Sequence, residues 1–161
     1  MKKINNINPI LITIAEQRSE KLGVLKNSIT NGEGNIAGYI GQMLVNLYLK
    51  GSEPDVYNYD VIKDNVRYEV KTKRCTGEPK EHYNCSIAKY NTKQKCDYYV
   101  FVRVLEDYSK AWILGKKKKD DFFKEATFNK KGEPDPSSGN KWNFKADCYN
   151  LEISKLEPLN D

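Results

Sequence analysis

The sequence predicts a mixed α/β (α+β) fold, a central mixed β-sheet flanked by helices, and three observations carry that expectation. An apolar stripe at helical spacing runs through residues 35–49. The period then drops to two in β-rich segments at 56–63 and 66–74. Asp-Tyr-Tyr-Val-Phe-Val-Arg-Val-Leu at 97–105 is the most apolar run of the chain. It is long enough for a strand buried on both faces and far too short to cross a bilayer.

Each element follows from local chemistry. Residues 14–26 mix apolar and charged side chains at helical spacing, and Ile29-Thr30-Asn31-Gly32 breaks the pattern. A second helix is expected over 35–49, with Asn35 as N-cap, and Ile36, Tyr39, Ile40, Met43, Leu44, Leu47 and Tyr48 as its apolar stripe. Lys50-Gly51 ends it. Strands at 56–63 and 66–74 are separated by Asp64-Asn65, which suits a two-residue hairpin turn. Residues 76–83 hold Gly, Pro and charges and read as a loop. Residues 111–114 read as the hairpin partner of the 97–105 strand. The basic run 116–119 leads into a short helix through Phe122, Phe123 and Ala126. An exposed loop is expected at 130–140, and a last strand at 148–153 would complete the same sheet.

Composition bounds the function. The 161 residues fit one domain (1–161: a helical segment 1–30, a core at about 31–105 and a sheet extension 106–161). A chain of this size buries roughly 68–70% of its unfolded surface without needing staples. With 39% hydrophobic and 30% charged residues, it is too apolar for a disordered chain and too polar for a membrane protein. The formal charge is +5, and the stretch 71–95 alone carries seven basic and two acidic residues. Such a balance suits a polyanionic partner. No secretory signal is evident, so the four cysteines are expected to be reduced thiols in a soluble, cytoplasmic protein. Cys75, His82 and Cys85 do not match a zinc spacing.

The hairpin register can be written out. With Asp64 and Asn65 as the turn, Lys63 pairs with Val66, Ile62 with Arg67, Val61 with Tyr68, and Asp60 with Glu69. Two carboxylates then face each other with Cβ atoms about 4.5–5.5 Å apart, and Lys71 projects from the same face. Tyr59, Val61, Tyr68 and Val70 take the opposite, core-facing side. Opposed like charges destabilise a sheet, and a divalent cation bridging them would explain their presence. Lys71 would then act on a water or on transition-state charge. The plainer reading is a solvated sheet face with a simple ion pair.

The segments Gly38-Tyr39-Ile40-Gly41-Gln42, Tyr59-Asp60-Val61-Ile62, Glu69-Val70-Lys71-Thr72-Lys73 and Gln94-Lys95-Cys96-Asp97-Tyr98-Tyr99-Val100-Phe101 together resemble the PD-(D/E)XK, restriction-endonuclease-like nuclease superfamily. The resemblance spans residues 31–105, about half the chain. It implies a restriction-endonuclease-like core and metal-dependent cleavage of DNA phosphodiester bonds. Asp60, Glu69 and the Val70 region would hold Mg²⁺ (with Mn²⁺ as a substitute), and Lys71 would be the catalytic lysine. A junction-resolvase type of structure-selective nuclease, or a non-catalytic nucleic-acid-binding module, are the alternatives.

Two departures from the family pattern stand out. No proline precedes Asp60, while Pro54-Asp55 supplies a literal "PD" upstream. On a continuous strand, Asp55 would face the other side, about 16 Å away. In the helix, Gln42 stands where family members often carry a Glu directed at the metal; Glu33 is the other candidate, and an ordinary surface Gln is the alternative for Gln42. Lys73, Arg74, Lys89, Lys93 and Lys95 would track the DNA backbone, or form a solvated basic face. Gln94 would hydrogen-bond within the site or start a strand exposed to solvent. No membrane partner is expected. A homodimer is compatible with double-strand cleavage, and the Lys- and Asn-rich composition suits a phage or mobile-element enzyme, acting in the host cytoplasm.

Overall fold

The computed structural model describes residues 1–22, 34–136, 139 and 141–160. In chain order the elements are β1 (Lys2–Ile4), α1 (Pro9–Leu22), α2 (Asn35–Leu49), β2 (Val61–Lys63), β3 (Val66–Cys75), β4 (Asn84–Ala88), β5 (Tyr98–Leu105), β6 (Ala111–Lys118), α3 (Lys119–Glu125), β7 (Thr127–Asn129) and β8 (Cys148–Glu152). A five-stranded sheet has the order β1-β6-β5-β3-β2; β3 and β5 run parallel and the other pairs antiparallel. The chain is therefore a mixed α/β protein with a mixed sheet and flanking helices, as expected. The finer expectation of one sheet does not hold. β4, β8 and β7 form a second, antiparallel sheet.

Alternation along β5 divides the interior in two. Val100, Val102 and Val104 join Val61, Tyr68 and Val70 against α1 and α2. Tyr99 and Phe101 point the other way, into a cluster with Trp112, Leu114, Phe122, Ile87 and Leu151 that joins the main sheet to the second sheet and α3. β8 belongs to this second layer because Cys85, Ile87 and Leu151 need an apolar surface to cover, and the far face of β5 supplies it.

The hairpin forms in the register derived from the sequence: Val61 opposite Tyr68, Ile62 opposite Arg67, Lys63 opposite Val66. Asp64 and Asn65 have φ values of 49° and 63°, the doubly left-handed turn that matches strand twist. The first strand is shorter than expected, starting at Val61 and not at Val56. Tyr59 consequently leaves the strand alternation and packs in the second cluster, away from Val61. Other boundaries also shift. α1 begins at Pro9 and is described to Leu22; the expected break at 29–32 and Glu33 lie outside the described residues. Gly34, not Asn35, occupies the N-cap of α2. β6 continues through Lys118, so the basic run is mostly strand. All four cysteines are free. Among the described residues, no helix is long and apolar enough to cross a membrane.

α2 lies against β3 at a point of very close approach. A Cβ placed on Gly41 would come within 2.0 Å of Thr72 Oγ1 and 3.1 Å of Thr72 Cβ. Glycine is required here by the backbone distance, since the helical dihedrals suit any residue. Gly41→Ala is expected to cost about 1–3 kcal/mol in urea unfolding, because helix and strand must separate. Adding Thr72→Ala should recover most of that loss, and no recovery would move the cause away from this contact.

Candidate active site

The site forms where the β2–β3 hairpin opens. β2 stops at Val61, so the next N–H along that edge of β3 has no strand partner. Asp60 fills the gap: its N–H donates to the Tyr68 carbonyl at 2.9 Å, and its Oδ2 accepts the Val70 N–H at 2.7 Å. Glu69, between Tyr68 and Val70 on β3, is not on a solvated face. It is 6% exposed, and its Oε1 accepts from Lys71 Nζ at 2.8 Å and from Gln94 Nε2 at 2.5 Å.

Gln94 reaches Glu69 because the segment before β5 is fastened at both ends. The Arg67 guanidinium and backbone N–H grip the Asp97 carboxylate at 2.7–3.0 Å, which holds that carboxyl below the usual range. Lys119 Nζ donates to the Gln94 carbonyl, and Lys119 N–H donates to that of Asp97 at 2.9 Å. Gln94 is 9% exposed, so it is not a strand start exposed to solvent. Its Oε1 is buried without a hydrogen-bond partner.

The electrostatics reflect two acids crowded together. Burial first, and then the Glu69 charge, push the Asp60 carboxyl up from 3.8 to about 7, against the lowering effects of the Val70 N–H and Lys71. A third acid contributes from a place the sequence reading missed. Glu53 also raises Asp60; it is held by Arg18 of α1 at 2.7 Å and by Asn46 of α2 at 3.4 Å. Asp55 is exposed on the loop before β2, and since that loop is not strand, the alternation argument about its facing does not apply. Burial and Glu69 also push the neighbouring Cys96 thiol up to about 11, so it stays protonated.

The remaining sequence candidates are dispersed. Gln42 meets the site at its backbone: its Nε2 donates to the Asp60 carbonyl at 3.4 Å, which ties the start of the hairpin to α2. Lys93 and Lys95 are exposed on either side of buried Gln94. Lys89 is exposed, 3.8 Å from Asp147. Lys73 is directed toward the second sheet, and Arg74, the next residue along the strand, takes the opposite face. A cavity of about 420 Å³, bordered by His82, Asn129 and Asn150, contains none of these candidates.

The residues present fit a hard divalent cation. Two carboxylates lie together with one raised well above its ordinary value, and the buried Gln94 Oε1 is an unpaired oxygen beside them. Among the described residues no three His, Cys, Asp or Glu side chains are grouped as a metal site. No family model matches the sequence, and no curated protein does.

Proposed function

We propose that this chain is a metal-dependent DNA endonuclease of the restriction-endonuclease-like PD-(D/E)XK type. The observation that supports it most is buried Glu69, hydrogen-bonded to Lys71 and Gln94 and set beside a raised Asp60 at the open end of a hairpin. A purely structural site would gain stability by replacing such a pair with apolar groups. Asp60, Glu69, the Val70 carbonyl and waters would hold Mg²⁺ or Mn²⁺. The metal, when bound, supplies Lewis acidity and lowers the pKa of a bound water.

The chain's own groups have distinct tasks. Gln94 and Lys71 fix the rotamer of Glu69, so its oxygens are preorganised. Lys71, 2.8 Å from that carboxylate, places a cation where negative charge develops on a phosphate being attacked, or orients the water. The Val70 N–H holds Asp60 by one oxygen. Lys93 and Lys95, exposed beside the site, lie where a strand's phosphates would pass. A second copy of the chain would be required to cut both strands at once.

One observation favours a non-catalytic, nucleic-acid-binding role on the same fold: Gln42 brings no third charge to the site and is engaged with the backbone of Asp60. Supercoiled plasmid incubated with Mg²⁺ or with EDTA separates the two readings. The nuclease yields nicked or linear product with Mg²⁺ alone. Retained binding with no product in Mg²⁺ or Mn²⁺ would establish the binding module.

A further inference from the structure

Beyond Lys71, the side of β3 that faces the second sheet carries an arrangement of charge unlike any other in the molecule. Lys73 and Arg103 are direct register partners on the parallel strands β3 and β5, so two cations stand side by side on one face. Like charges directly opposed across strands destabilise a sheet. Arg103 is only 7% exposed, and its guanidinium donates to the Asn84 backbone carbonyl at 2.8 Å. Among the described residues neither Lys73 nor Arg103 forms an ion pair with a carboxylate; Asp135 acts on Lys73 only from a distance.

Two other enclosed cations are paired with carboxylates: Lys117, also buried, lies 2.8 Å from Glu125, and Lys71 lies 2.8 Å from Glu69. A buried guanidinium without a carboxylate loses hydration that one carbonyl does not replace. Burial pushes Arg103 below the ordinary arginine range, and Lys73 stands at the exposed rim beside it. Between the two residues and β4 lies a cavity of about 50 Å³, with Lys71 at one end and Asn84 and Ser86 along its wall. That is several times the roughly 10–15 Å³ a single water requires.

We infer that this cavity is an oxyanion site that takes one phosphoryl group between Lys73 and Arg103. The guanidinium supplies planar N–H donors and the ammonium a mobile charge, the combination that phosphate oxygens accept. The inference is independent of cleavage and of any metal. The phosphoryl group has two chemical sources, a phosphate of a polynucleotide strand or a free phosphate ion.

The test is calorimetric titration of the full chain with inorganic phosphate in EDTA, against chloride at matched ionic strength. Saturable binding with a Kd of about 1 mM is expected. Lys73→Met, at an exposed position that should not disturb folding, should weaken it at least about tenfold. Arg103→Lys, which keeps the charge and removes the fork, should weaken it too. Lys118→Met, at an exposed position with no part in either site, should leave it unchanged. Absence of saturable binding, or the same Kd in Lys73→Met as in the wild type, overturns the inference. A single-stranded oligonucleotide added as competitor then separates the sources. Competition assigns the site to strand phosphates, and its absence to free phosphate; either result retains the site. Phosphate binding by an Asp60→Asn chain that cuts nothing would keep this inference apart from the nuclease reading.

Discussion

On the proposed nuclease reading, Asp60→Asn is expected to lose metal-dependent cleavage by about a thousandfold, some 4 kcal/mol of transition-state stabilisation, while making the metal-free protein more stable above neutral pH. The two effects have one origin. In the folded chain the carboxyl titrates at about 7 and not at 3.8, chiefly because burial and Glu69 oppose its charge. A raised acid contributes its full stability below the unfolded value, near pH 4, and loses that contribution as pH rises through the folded value, near 7. The asparagine does not titrate, and its Oδ1 can still accept the Val70 N–H. The stability difference between variant and wild type should therefore grow between pH 4 and 7 and level off above, reaching a few kcal/mol. Excess Mg²⁺ should shrink it, because a bound cation stabilises the ionised wild-type carboxylate. Thermal unfolding across that pH range with and without Mg²⁺, calorimetric Mn²⁺ titration and the plasmid assay measure all three. Asp55→Asn, exposed on the preceding loop, should match the wild type in each. An inactive Asp55→Asn beside an active Asp60→Asn would transfer the first acid to the literal Pro54-Asp55.

On the same reading, Lys71→Met is expected to lower cleavage by about 10²–10³-fold and to raise divalent-metal affinity. Lysine is at present the cation neutralising Glu69, at 2.8 Å, and its ammonium competes with a metal for the same oxygen. Methionine keeps the aliphatic stem and removes the charge, so Glu69 becomes freer to bind a metal but loses a donor in its absence. The metal-free variant should be destabilised by about 1–3 kcal/mol, with Mg²⁺ restoring most of it. Arginine should not restore turnover, because its planar fork cannot occupy the position of a compact ammonium. Single-turnover cleavage and Mn²⁺ calorimetry read both signs. Cleavage at the wild-type rate would remove Lys71 from the chemistry, and a fall in metal affinity would make its role structural.

Several parts of this arrangement were written in the sequence alone. The apolar stripe fixed α2 at residues 35–49, and the 97–105 run identified the doubly buried β5. Asp64-Asn65 specified the hairpin register because both residues tolerate left-handed dihedrals and a two-residue turn leaves one pairing. The observed pairing runs only to Val61–Tyr68, one residue short of the expected Asp60–Glu69 pair, while strand alternation puts Lys71 on the same side as Glu69. These are local relations, decided within a few residues of each other. The tertiary structure decided whatever depends on remote segments. It ended β2 at Val61, so that Asp60 holds the free edge of β3, and it brought Gln94 and Glu53 to the two carboxylates. It also folded β4 and β8 into a second sheet and enclosed Arg103 beneath it. Enclosure did the rest: of the Asp, Glu and Lys that read as a solvated face, Glu69 becomes buried and Asp60 and Lys71 half-buried once the chain packs around them.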